Sequence, residues 1–133
     1  MAWYLMAWKR YSDFSGRSRR CEYWMFALIH VVVYLTLFLA VQFTASASTM
    51  AHISVFTGPL FFLCFIYGIA AILPGLAVSV RRLHDIGKSG SWMLLAFVPV
   101  LDLLLVVFFT FNSEPGGNQY GPNPKLPTPY AAN

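Results

Sequence analysis

The sequence predicts an all-α membrane protein: three transmembrane helices preceded by an amphipathic amino-terminal helix lying in the interface. Three observations predict it. The chain is 58% hydrophobic and 17% aromatic but only 11% charged, against about a quarter charged in soluble domains. Three apolar runs, 23–43, 58–80 and 92–111, each reach the roughly 20 residues needed to cross the hydrocarbon layer. Between the last two runs, the connector 81–92 (RRLHDIGKSGSW) concentrates the charge of the second half. At 133 residues the chain is a single domain. It divides into a basic cytoplasmic segment 1–22, a transmembrane part 23–111 and a tail 112–133.

Residues 1–20 carry Tyr4, Trp8 and Tyr11 at helical spacing, with Trp3 beside them and Lys9 and Arg10 on the polar side. This pattern predicts a helix in the headgroup layer. Ser15-Gly16 ends it, and Arg17, Arg19 and Arg20 add a second basic cluster. The first span holds no formal charge; Tyr23 and Trp24 anchor its start, and His30 lies about two turns in. The loop 44–57 contains no Lys or Arg, and its His52 reads as solvated. Ala45-Ser46-Ala47 resembles a signal-peptidase site, but the apolar run before it is longer than a signal h-region.

Gly58-Pro59 is expected to open the second span, where a missing N–H is harmless, and Pro74-Gly75 to kink it. Gly68, Ala71, Gly75 and Ser79 form a face of small side chains, a seam for another helix of the chain or for a partner subunit. The helix is expected to continue through 81–85, with Arg81 and Asp85 paired at i, i+4. Gly87 suits a left-handed C-terminal cap, and Ser91 an N-cap for a third span that holds Pro99 and Asp102. The tail, rich in Pro, Gly and Asn, reads as coil.

Orientation follows from the cations. Lys9, Arg10, Arg17, Arg19 and Arg20 precede span one, and Arg81, Arg82 and Lys88 separate spans two and three. Positive charge favours the cytoplasm. With three spans the amino end and the basic connector are cytoplasmic, and the tail, with Lys125, is periplasmic.

Two features carry candidate chemistry. Asp102, about 15 Å into the third span by helical rise, costs about 2.5–3.5 kcal/mol if charged. It is expected to meet His30, to be protonated, or to pair with a cation on another membrane protein. At the cytoplasmic surface, Arg17, Arg20, Arg81, Arg82, His84, Asp85 and Lys88 are expected either to hold an anionic lipid headgroup or to act as a topology determinant locked by Asp85. No catalytic residues, metal ligands or cofactor site are expected: the sequence lacks a nucleophile elbow, metal-ligand spacing and a phosphate-cradling loop. Adjacent His84 and Asp85 point about 100° apart on a helix, so they are not a dyad. Cys21 and Cys64 fall near opposite faces and form no disulfide scaffold. No nucleic-acid motif is present.

Three separated segments resemble one family. Phe14-Ser15-Gly16-Arg17, Arg20 and Glu22-Tyr23-Trp24 make the first; Arg81-Arg82-Leu83-His84-Asp85, Ser89-Gly90 and Trp92 the second; Asn118, Tyr120-Gly121 and Pro124 the third. Together, over nearly the whole chain, they resemble the domain-of-unknown-function 805 family of small bacterial inner-membrane proteins. The resemblance implies a bacterial or phage origin and the cytoplasmic membrane, and it brings no established activity. Cys21, Ser91, Gln119 and Asp102 depart from the family pattern. The expected role is a non-catalytic accessory subunit that contacts membrane lipids and docks on other subunits, or on itself, through the small-residue face. The alternative is an oligomeric transporter or channel component lined by Asp102 and His30.

Overall fold

The computed structural model describes residues 2–47 and 53–125, and all its regular elements are helical. His52 lies outside the described residues. Helix α1 is Ala2–Lys9, α2 is Arg20–Ala47 and α3 is Ile53–Asp85; a 3-10 helix, Gly90–Phe97, and a short helix α4, Asp102–Thr110, complete the chain. Two stretches, Arg20–Ala45 and Thr57–Asp85, are long and apolar enough to cross a membrane. Their outward surfaces are apolar: Leu28, Leu35, Phe38, Phe61 and Phe65 are all exposed.

Both long helices outrun the predicted boundaries. Thr44 was assigned to the loop, yet it lies inside α2, where its hydroxyl donates back to the carbonyls of Ala40 and Val41. That local bond satisfies the polar group without leaving the helix. Gly58-Pro59 does not open α3, which begins at Ile53 and carries both Pro59 and Pro74 within it.

The α2–α3 seam is where the small residues act. A Cβ on Gly68 would run into the Tyr34 hydroxyl, and one on Gly75 would sit 3.7 Å from Phe26 Cε1. Ala71 and Ser79 are buried. The face expected as a docking surface therefore receives the chain's own α2.

Helix α1 packs across both. Ala7 is buried with Phe26 and Val78, and Tyr4 stacks on Phe26 at 5.7 Å. Leu5 and Met6 on the other side are exposed, and Lys9 is the only charge in the helix. The polar side expected of Lys9 and Arg10 is reduced to Lys9, because Arg10 falls beyond the last residue, as does Tyr11 of the expected aromatic side.

The largest correction concerns the third span. The run 92–111 is not one helix but a hairpin. Pro99 has no N–H and crowds the residue before it; Val98 is accordingly extended, at φ −113° and ψ 109°. The 3-10 helix starts beside Val80, where a Gly90 Cβ would lie 2.9 Å from Val80 Cγ1. Its N-cap is Ser89, whose Oγ accepts from the Ser91 N–H, so Ser91 is not the cap. After the bend, α4 returns, and the Trp24 indole N–H donates to the Phe109 carbonyl at 3.3 Å. Leu105 and Phe109 bury against Leu83. Each arm spans about 13–16 Å, half of a roughly 30 Å hydrocarbon layer. Within the bend, the N–H groups of Val98, Leu101 and Asp102 all find carbonyls of the hairpin itself.

Because the hairpin returns, the tail and the basic connector are not separated by the length of a helix, as a third full-length span would separate them. The Glu114 N–H donates to the Asp85 carbonyl at 2.9 Å, which brings residues 112–125 to the same end as 81–92.

Candidate functional site

That end is a cap in which charge is buried. Helix α3 closes with a Schellman motif: Lys88 N–H donates to the Leu83 carbonyl, Gly87 N–H to the His84 carbonyl, and Gly87 takes a φ of +73°. The last turn therefore holds Arg81, Arg82, His84 and Asp85 in fixed directions.

Asp85 is fully buried and receives two arginines. Arg17 Nε donates to Oδ1 at 3.0 Å, and Arg82 Nη1 to Oδ2 at 2.5 Å. The remaining donors of Arg17 go to main-chain carbonyls: Gly116 at 2.8 Å and Gly121 at 3.3 Å from Nη1, Asp85 at 3.3 Å and Glu114 at 2.7 Å from Nη2. All five guanidinium N–H groups are thus engaged. Arg82 also donates to the carbonyls of Phe109 and Phe111, where α4 runs out of intrahelical partners. The i, i+4 pair expected between Arg81 and Asp85 does not form; Asp85 takes Arg82 instead. Arg81 points to the other side and pairs with buried Glu22 at 3.0 Å.

His84 is a linker between three segments. Its Nδ1 lies 3.3 Å from the Gly16 carbonyl, which only accepts, so Nδ1 carries the proton. Its ring stacks on Tyr120 with centroids 3.8 Å apart and planes 5° from parallel. Its carbonyl accepts from the Asn118 amide at 2.9 Å. Asn118 in turn forms a turn of its own: Oδ1 accepts from Tyr120 N–H, and the Asn118 and Gly121 main chains bond reciprocally. The Pro124 carbonyl accepts from Arg19. The three separated sequence motifs are one object in space.

The cations expected at a headgroup site divide accordingly. Arg17, Arg81 and Arg82 are buried in ion pairs, with Asp85 as an acceptor, and His84 is committed to the tail. Arg20 and Lys88 remain at the rim: Arg20 donates to the Thr110 carbonyl, and Lys88 Nζ sits 5.3 Å from the Trp92 ring and 5.8 Å from that of Phe108. Outside the spans, Asp13 has its carboxyl held down to about 2 by hydrogen bonds from Ser15 and then Arg10.

The predicted His30–Asp102 contact is absent. His30 Nδ1 meets the Tyr67 hydroxyl at 3.0 Å, which meets the Tyr4 hydroxyl at 3.3 Å. The imidazole is stacked between Phe26 and Tyr67. Asp102 is exposed in the first turn of α4. Cys21 and Cys64 are both free thiols, and no cluster of metal-ligating side chains occurs among the described residues.

Sequence reasoning missed Glu22, Glu114 and the tail's docking. The available signal was Asn118-x-Tyr120, an Asx-turn pattern that makes tight local structure.

Comparison with known proteins places the chain among bacterial inner membrane proteins. The chain is 42% identical over 128 residues to the inner membrane protein YhaI of Escherichia coli K12, covering 95% of this chain and 98% of that one. It is 39% identical over 127 residues to the inner membrane protein YhaH of the same organism, with the same coverage. No solved structure matches. The family model described as "Protein of unknown function (DUF805)" matches residues 11–122, from just ahead of Arg17 to just beyond Gly121. The chain is therefore a small integral membrane protein of bacterial inner-membrane type, and it belongs to that family.

Proposed function

We propose that this protein is a non-catalytic interaction subunit of the bacterial inner membrane, with two spans, a re-entrant hairpin and a rigid cytoplasmic cap. The cap carries the reading. Arg17, Arg82 and Asp85 are spent on one another and on carbonyls, so they tie the amino end, the end of α3 and the tail into one platform, while Arg81 makes an ion pair with Glu22 and no hydrogen bond to a carbonyl. No reactive side chain in it is left poised: both oxygens of Asp85 are occupied, and His84 is held between Gly16 and Tyr120.

The charge distribution supports the topology. With the tail returned, all nine Lys and Arg residues flank the same ends of α2 and α3, which favours that side as cytoplasmic. The amino end and residues 112–125 then share the cytoplasm. Anionic lipid contact falls to Arg20 and Lys88 at the rim rather than to Arg17 or Arg82.

Purification from native membranes in mild detergent tests the role. A stoichiometric membrane-protein companion, lost on Asp85→Asn and retained on Lys88→Ala, supports the subunit reading. A chain recovered alone under all conditions, with turnover of a small molecule, overturns it. Recovery of anionic lipid that survives Arg20→Ala with Lys88→Ala removes the rim as the lipid contact.

A further inference from the structure

We propose that the protein self-associates as a parallel two-fold dimer in which Asp102 of each copy shares a hydrogen bond with His30 of the other. The inference rests on the re-entrant reading above, and it names the first partner as a second copy of this chain.

Asp102 is the least explained residue in the fold. It opens α4 at the hairpin's deep end and is exposed; its charge acts on Tyr23 of the same copy, but no hydrogen bond or ion pair of its side chain occurs among the described residues. A carboxylate facing lipid is disfavoured and calls for a partner. His30 is its complement. Its Nδ1 is engaged by Tyr67, and its ring lines two hollows open at the α2 surface. The larger, about 400 Å³, lies among α2, α3 and the 3-10 helix, between Tyr23, Ile72 and Met93. No hydrogen bond of Nε2 occurs among the described residues, so that ring nitrogen is left to face Asp102, as donor or acceptor according to the tautomer.

Depth decides that the two groups can meet between copies. The Trp24–Phe109 hydrogen bond aligns α2 with α4. Measured from that bond at 1.5 Å per residue, Asp102 lies about 10 Å along α4 and His30 about 9 Å along α2. A rotation about the bilayer normal leaves depth unchanged, so two copies inserted in the same sense bring Asp102 and His30 to one level. An isologous interface makes the contact twice.

The test uses the full chain with Cys21→Ser and Cys64→Ser, expressed in native membranes as two differently tagged versions. One carries His30→Cys and the other Asp102→Cys. A disulfide needs the two Cα atoms within about 7 Å. Oxidation is expected to give a mixed-tag dimer in severalfold excess over a Leu35→Cys and Asp102→Cys pair, Leu35 being exposed on the same helix. Equal yields from the two pairs overturn the proposal. Because the cysteines remove the groups themselves, single-molecule subunit counting in liposomes supplies a second reading. Asp102→Asn and His30→Phe are expected to lower the dimer fraction, and the exchange His30→Asp with Asp102→His to restore it. A dimer fraction unmoved by either single change also overturns the proposal. Membrane-impermeant maleimide applied to spheroplasts carrying Lys125→Cys separates the two ways of failing. Labelling defeats the re-entrant reading and the dimer with it; protection without the disulfide defeats the dimer alone.

Discussion

Replacing Asp85 with Ala tests whether the cap is held by desolvated charge. The carboxylate sits 3.0 Å from Arg17 and 2.5 Å from Arg82, and none of the three side chains exposes more than 1% of its surface. Removing one partner of a buried pair costs about 3–5 kcal/mol, because the other charge stays buried without compensation. Here two cations are stranded, which raises the penalty. Their bonds to the carbonyls of Glu114, Gly116, Phe109 and Phe111 persist, which lowers it. The expected loss is therefore near the middle of that range, about 4 kcal/mol. That is a roughly thousandfold fall in the folded ratio. Denaturant titration in mixed micelles measures it, and limited proteolysis of the tail reports where the loss falls. Asp85→Asn keeps an acceptor and is expected to lose less. The triple change Arg17→Met, Arg82→Met, Asp85→Leu removes every stranded charge and is expected to recover much of the stability. A loss below about 1 kcal/mol for Asp85→Ala, the scale of an exposed pair, would refute the reasoning.

Gly87→Ala forces a side chain onto a φ of +73° and into Glu114, whose Oε2 would lie 2.8 Å from the new Cβ. We expect a loss of about 1–2 kcal/mol, read as a lower thermal midpoint in detergent. Gly68→Ala displaces the Tyr34 hydroxyl, so its destabilisation should be relieved when combined with Tyr34→Phe; equal midpoints for the single and double variants would contradict that packing. Asp13 titrates at about 2 against an ordinary 3.8. A depressed carboxyl contributes stability that is fully present above the ordinary value and lost as pH falls through the folded one, so the 10–15 turn should hold at pH 4 and loosen towards pH 2. A carboxyl carbon NMR titration checks it, with Ser15→Ala expected to move the midpoint up. A reporter placed after Lys125 is expected to read cytoplasmic, like one beside Lys88; a periplasmic signal would restore the three-span topology.

What sequence alone revealed follows from the range of each interaction. The long apolar helices, the Gly87 cap and the continuation of α3 through Asp85 depend on residues within a few positions, and they were legible. The hairpin was not. Twenty apolar residues satisfy the length rule whether they cross or turn back, and only Pro99, with its effect on Val98, distinguished the two. The partners of Arg17 were hidden for another reason: four of its hydrogen bonds go to carbonyls, which leave no mark on side-chain composition. Arg81 and Arg82 are neighbours in sequence, yet a 100° step sends one to Glu22 and the other to Asp85. A lock by Asp85 was legible in the Arg-rich connector, but the tail that covers it was not, because the bonds that hold it run to main-chain carbonyls far along the chain.

Arg17 makes its carbonyl bonds to residues 97, 99 and 104 positions further along. A ribosome has therefore placed both long helices in the bilayer before this guanidinium can reach those three; until then it has only Asp85 to close on. Throughout that interval Asp85 has its two arginines but not the tail that covers them, and the hairpin has no latch. Maturation of the molecule is a last-minute event, so a chain released early by even twenty residues should present membrane proteases with an open, hydrated end.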